Sequence, residues 1–173
     1  MSTDPIITCY EEIDWATWEP DDRATLLFVI RCGEILFIHK KRGLGAGKIN
    51  GPGGRIEPGE TPEQAAIRET EEELLITPFG IAKRGTLSFQ FSDGYKLHCT
   101  VFTAEGFEGQ PTETDEAIPV WRSLTDIPYE RMWEDDEIWL PRMIAGENFE
   151  GWFLFHGDDM LGHQIEFSKA PAY

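Results

Sequence analysis

Two predominantly apolar runs, Ala24 to Ile30 and Glu34 to His39, predict two strands. The intervening Cys32-Gly33 predicts a tight turn joining them. The pattern then changes: Ala66, Ile67, Thr70 and Leu74 share one stripe at helical spacing, which predicts a helix packed on a sheet. Its start is well marked, with Thr61 as N-cap, Pro62 at the first helical position and Gln64 completing a capping box. Apolar and polar positions alternate from Gly85 to Phe91, which predicts a strand, and a turn at Ser92-Asp93-Gly94 leads into a strand from Tyr95 to Ala104. A loop around Gly109-Gln110-Pro111 precedes a short strand, Ile118 to Trp121. A second helix spans Asp135 to Ile144, interrupted by Pro141, and Asn148 to Phe155 and Gln164 to Phe167 are closing strands. Residues 1–22, with Trp15 and Trp18 among Asp, Glu and Pro, form an irregular N-terminal arm, and residues 23–173 one domain. This order predicts an α/β (α+β) architecture, a central mixed sheet with a helix on each side.

Composition narrows the picture. At 173 residues, 40% hydrophobic and 12% aromatic, the chain has the length and apolar content for a packed core. A net charge of −17 argues against a broad electrostatic grip on nucleic acid polymers or anionic membranes. It leaves room for a nucleotide, because a bound cation recruits phosphate locally. No apolar run is long enough to cross a bilayer, and no basic-then-apolar leader opens the chain, so a cytoplasmic location is expected. The three cysteines, Cys9, Cys32 and Cys99, have no metal-type spacing and are expected to be buried free thiols. His39, His98, His156 and His163 have no ligand spacing either. No obligate protein partner is evident.

The chemistry concentrates between Gly51 and Glu73. Glu69, Glu72 and Glu73 stand at i, i+3 and i+4, so a helix carries all three on one face. An acidic helix face is often no more than solvated surface. Here, however, it follows the Gly-rich run Gly51-Pro52-Gly53-Gly54, whose backbone can approach a phosphate or offer a carbonyl to a metal. Like charges so close repel unless a cation joins them, and clustered hard oxygens suit Mg²⁺, with Mn²⁺ as the alternative. Glu60 and Arg68 are expected to pair and fix the loop against the helix. Ala65, small and one turn before Glu69, is expected to leave room for a metal-bound substrate. Lys40, Lys41 and Arg42 are expected to contact phosphate.

The spacing Gly54-x5-Glu60-x7-Arg68-Glu69-x-x-Glu72-Glu73 resembles the signature of the Nudix hydrolases. Two positions depart from it: Thr70 stands at an apolar position, and Leu75 stands where a Gly normally caps the helix C-terminus. The resemblance implies the Nudix α/β/α sandwich and Mg²⁺-dependent hydrolysis of a nucleoside diphosphate derivative. It implies metal ligation by Gly54, Glu69, Glu72, Glu73 and a further acidic residue, Glu116, with one of Glu69, Glu72 or Glu116 as general base. From Thr25 to Phe167 the chain further resembles members that hydrolyse oxidised purine nucleoside triphosphates to the monophosphate and pyrophosphate, removing damaged precursors before they reach DNA. That likeness implies a nucleotide site of Thr25, Lys40, Asn50 and Phe89, with Trp133 stacked on the base and Asp135 and Asp136 reading its edge. Leu44, Ile49 and Pro52 depart from aromatic residues of that group. ADP-ribose, a dinucleotide or an RNA 5′ end are the alternative substrates, and a non-catalytic nucleotide-sensing module is the alternative class.

Overall fold

The computed structural model describes residues 6–169. Residues 1–5 of the expected arm and 170–173 of the expected domain lie outside them. The strands are β1 (Asp22–Arg31), β2 (Glu34–Lys40), β3 (Ile49–Asn50), β4 (Gly53–Arg55), β5 (Ile76–Phe79), β6 (Ala82–Phe91), β7 (Lys96–Ala104), β8 (Gly106–Gly109), β9 (Ala117–Ser123), β10 (Glu147–His156) and β11 (Asp159–Lys169). Helix α1 (Pro62–Leu74) lies between β4 and β5, and α2 (Asp136–Ile144) between β9 and β10. A mixed sheet runs β11-β10-β6-β7-β1-β2-β3, with β4 also paired to β1 and β9 to β2. The β1–β7 and β6–β10 pairs are parallel and the rest antiparallel. β5 and β8 form a separate two-stranded sheet.

Alternation divides the core between the two faces of the sheet. On one face Leu27, Val29, Leu36, Ile38 and Phe102 pack with Ala66 and Leu74 of α1. On the other Phe28, Phe37, Leu87, Val101, Phe149 and Phe153 pack with Trp139, Leu140 and Met143 of α2. The expected sandwich is therefore the observed one. Cys32 and Gly33 both take positive φ (51° and 75°), which matches the twist of the β1–β2 hairpin.

Several expectations need correction. Pro141 does not interrupt α2, which continues to Ile144; the N–H that proline lacks would have served the carbonyl of the exposed Glu137. Strands β3, β4, β5 and β8 are two to four residues long and carry too little alternation to be read from sequence. Part of the expected loop, Gly109, ends β8. β11 begins at Asp159, five residues before the expected Gln164. Only Cys99 is buried; Cys9 and Cys32 are exposed, Cys32 because it occupies a surface turn. Ala65 is fully buried within α1 and does not line the cleft, so its small side chain serves packing.

Candidate active site

The metal-binding half is assembled by α1 and the glycine run. Thr61 caps α1: its hydroxyl accepts from the Gln64 N–H at 3.1 Å, and Gln64 Oε1 accepts from the Thr61 N–H at 2.9 Å. At the other end Leu75 takes up the left-handed conformation that glycine would favour (φ 59°, ψ 34°), its N–H donating to the Glu71 carbonyl. Arg68 donates from Nε and Nη2 to the two oxygens of Glu60, at 2.7 and 2.8 Å, and from Nη2 to the Arg55 carbonyl at 3.0 Å. This fork holds the Glu60 carboxyl down to about 2. It also ties the loop to the helix, as expected.

Close approach explains the glycines. A Cβ at Gly53 would lie 1.8 Å from the Thr25 carbonyl oxygen, and one at Gly54 would lie 2.4 Å from the Glu69 carboxyl carbon. At Gly51 it would meet the Phe28 ring at 2.7 Å. β4 therefore lies directly on β1, with Thr25 opposite Gly54, and Glu69 fills the space a side chain would take.

Oxygens of Glu69, Glu73 and Glu116 lie within 4.8 Å of one another. Glu116 comes from the loop before β9, which is tied to the end of α1: Thr114 Oγ1 donates to the Glu73 carbonyl at 2.7 Å, and the Thr112 N–H donates to the Leu74 carbonyl. Glu73 is 4% exposed, and its Oε2 has no hydrogen-bond partner. Burial, with Glu69 and Glu116 alongside, pushes its carboxyl up to about 8, although Lys40 and the Gly53 N–H oppose the shift. Burial also raises Glu69. Three converging hard oxygens, one of them buried and unpartnered, suit a divalent cation. Glu72 stands apart from this cluster, 52% exposed and turned toward Arg68 at 3.4 Å.

An open cleft adjoins this cluster, with Gly53 and Gly54 in its wall. Every expected nucleotide residue lines it: Thr25, Lys40, Asn50, Phe89, Trp133, Asp135 and Asp136. Asn50 Oδ1 accepts from the Gly51 N–H at 2.8 Å, which fixes its amide plane. The Trp133 ring meets Phe155 edge-on (5.6 Å, 88°), and Lys48 Nζ sits 5.0 Å from its centroid. Asp135 and Asp136 are each 2% exposed. Neither caps α2 in the usual way: Asp135 makes no side-chain cap bond and accepts instead from Trp139 Nε1 at 2.8 Å, while Asp136 Oδ2 has no partner. Burial raises both carboxyls, Asp136 further through Asp135 beside it. The pair can thus present an O–H donor next to an acceptor.

Sequence reasoning missed Phe91, Leu97, Cys99 and Phe155, which also line the cleft. Phe91 was accessible by period, two residues beyond Phe89; the others depend on strand pairing. The basic loop also differs from expectation: Lys41 pairs with Glu113 and Arg42 with Glu116, both at 2.9 Å, leaving Lys40 as its cationic member in the cleft wall.

This fold and site define a known class. The Nudix domain model matches residues 20–143, and the chain belongs to that family. It is 43% identical to the oxidized purine nucleoside triphosphate hydrolase of Danio rerio over 138 residues, spanning 79% of this chain and 88% of that protein. To the 8-oxo-dGTP diphosphatase of Escherichia coli (strain K12) it is 39% identical over 84 residues, 47% of this chain and 63% of that one. Its fold superimposes on the crystal structure of a MutT protein from Bacillus halodurans with a TM-score of 0.74 at 24% identity, covering 84% of this chain and 97% of the other.

Proposed function

We propose that this protein hydrolyses purine nucleoside triphosphates with an oxidised base, such as 8-oxo-dGTP, to the monophosphate and pyrophosphate. One observation carries the reading. Five buried side-chain polar atoms lack a partner among the described residues, and three of them, Thr25 Oγ1, Asp136 Oδ2 and Glu73 Oε2, belong to this cleft and its acidic end. Buried polar groups are costly when unpaired, so a site that leaves three of them open is built for a polar ligand. The activities for which the Danio rerio and Escherichia coli relatives are named support the same substrate class.

In this reading Glu69, Glu73, Glu116 and the Gly54 carbonyl would hold Mg²⁺, with Glu72 on the same helix as a further ligand. Mg²⁺ there would supply charge neutralisation for the phosphates and a lowered pKa for an attacking water. One of Glu69, Glu72 or Glu116 takes the proton from that water. A P–O bond to the water forms in line as the bridging bond between the α and β phosphates breaks, giving the monophosphate and pyrophosphate. Lys40 offsets charge on the phosphates, Trp133 stacks on the base, and Asn50, Asp135 and Asp136 read its edge. A purine oxidised at C8 carries a proton on N7 and a carbonyl at C8, which match an acceptor and a donor side by side. Substrate capture needs no nucleic acid polymer and no membrane.

Steady-state kinetics on 8-oxo-dGTP, 2-hydroxy-dATP, dGTP and ATP with Mg²⁺ test the proposal. A higher kcat/KM on the oxidised pair is expected. Equal values for dGTP and 8-oxo-dGTP, or turnover of ADP-ribose alone, would overturn it.

A further inference from the structure

Residues 7–21 lie across the back of the cleft wall, and most of them precede the segment matched by the family model. Four residues form one lateral row across β7, β6, β10 and β11: Lys96 pairs with Gln90, Gln90 with Leu154, and Leu154 with Gly162. The arm follows that row. The Asp21 N–H donates to the Lys96 carbonyl at 2.9 Å, and the Lys96 N–H donates to Asp21 Oδ2 at 3.0 Å. Trp18 Nε1–H donates to Gln90 Oε1 at 2.9 Å. Tyr10 packs so closely over Gly162 that a Cβ there would lie 2.6 Å from the Tyr10 Cβ.

The same strands carry the cleft on their opposite face. Phe89 and Phe91 flank Gln90, Leu97 follows Lys96, and Phe155 follows Leu154; all four line the cleft. Alternation puts Gln90 and these neighbours on opposite sides of the sheet. Gln90 is 3% exposed and passes the contact on, since its Nε2–H donates to the Phe91 carbonyl at 2.9 Å. Farther along, the Ile7 N–H donates to the Ser92 carbonyl, and the Ser92 N–H to the Phe155 carbonyl. Without Trp18, Gln90 Oε1 loses the donor that ties the row to the arm, and the row is free to shift. In a close-packed sheet that shift reaches the aromatic wall.

We infer that the segment preceding β1 is a positioning element for the nucleotide base: Trp18, acting through Gln90, sets the aromatic wall formed by Phe89, Phe91, Leu97 and Phe155. The inference rests on the proposed function, in which that wall holds the base. Trp18 touches no substrate, and the phosphates are gripped elsewhere, so the arm acts on affinity and leaves the chemical step alone.

The test compares full-length Trp18→Ala and Trp18→Phe with a control, Phe107→Ala, which loosens the separate β5–β8 sheet. Each is assayed on 8-oxo-dGTP for KM and kcat and by thermal unfolding. Trp18→Ala is expected to raise KM about tenfold, the effect of one lost positioning contact, with kcat within about twofold. Trp18→Phe keeps the ring but not the N–H and should give a smaller rise, while Phe107→Ala should lower Tm without raising KM. An unchanged KM in either folded Trp18 variant overturns the inference, as does an equal KM rise in the control at matched loss of Tm. If Trp18→Ala does not fold, Trp18→Phe carries the same readings. Hydrogen exchange separates this result from the fate of the proposed function. If the unaltered protein turns over no nucleotide, that function falls, and the brace is judged by exchange at the Phe91 and Leu97 amides: faster in Trp18→Phe if the arm holds the wall, unchanged if it does not.

Discussion

Glu73 sits in an environment at odds with its charge. A carboxyl raised to about 8 from an ordinary 4.5 binds more protons folded than unfolded. Metal-free stability is therefore expected to fall as pH rises from 4.5 toward 8, and Mg²⁺ should restore it at the alkaline end. Glu73→Gln carries no charge to desolvate, so its metal-free Tm should exceed the parent's at pH 8, while kcat drops by about two orders of magnitude or more. Thermal unfolding with and without chelator, beside turnover, checks both halves; near-native turnover in the variant would remove Glu73 from the site. At the other end of the cleft, Trp133→Ala should raise KM for all purines alike, by a lost stack of about 1–3 kcal/mol. Asp135→Ala and Asp136→Ala should instead change the kcat/KM ratio of oxidised to ordinary purines, because a pocket that pairs a polar edge rejects analogues lacking it. If both Asp variants keep the parent ratio, the base is not read there.

At the scale of elements, α1 combines a well-made start with an ill-suited end. The capping box and Pro62 follow the usual rules, but Leu75 takes a left-handed conformation with its side chain 57% exposed. A non-glycine residue there costs about 1–2 kcal/mol, and the exposed side chain returns little of it. Leu75→Gly is thus expected to stabilise the protein by about 1 kcal/mol and raise Tm by about 2–4 °C, with kcat unchanged. A lower Tm would mean that the leucine packs against something it needs. β4 has the opposite sensitivity. Gly53→Ala sets a Cβ against β1 backbone, which cannot yield as a flexible side chain would, and should destabilise by about 3 kcal/mol or more in denaturant unfolding.

For the whole molecule, a charge of −17 surrounds a site proposed to take a polyanion. The global field opposes substrate capture, and the acidic cluster reverses it only locally when a cation is bound. At fixed free Mg²⁺, kcat/KM is expected to rise as NaCl increases from about 10 to about 150 mM, because screening shortens the reach of the repulsion. A steady fall across that range would show that attraction to local cations such as Lys40 outweighs the global charge. No helix of the described residues is long and apolar enough to cross a membrane.

What the sequence determined by its own patterns was whatever is local in the chain, while Glu116 and the dispersed nucleotide residues were implied only through the family resemblance. The capping box, the carboxylates one helical turn apart and the apolar or alternating runs of the long strands depend on neighbours within a few residues, and the Glu60–Arg68 pair spans only eight positions. Only the tertiary structure decided the rest. Glu116 joins Glu69 and Glu73 because Thr114 docks on the end of α1, while Glu72, inside the motif, stands aside with Arg68. β5 and β8 exist because they pair with each other, not because four residues alternate strongly. Phe155 and Leu97 enter the cleft through strand register, and Trp18 reaches its back across 72 positions of sequence. Such contacts are set by packing between distant segments, and no pattern in either segment alone encodes them.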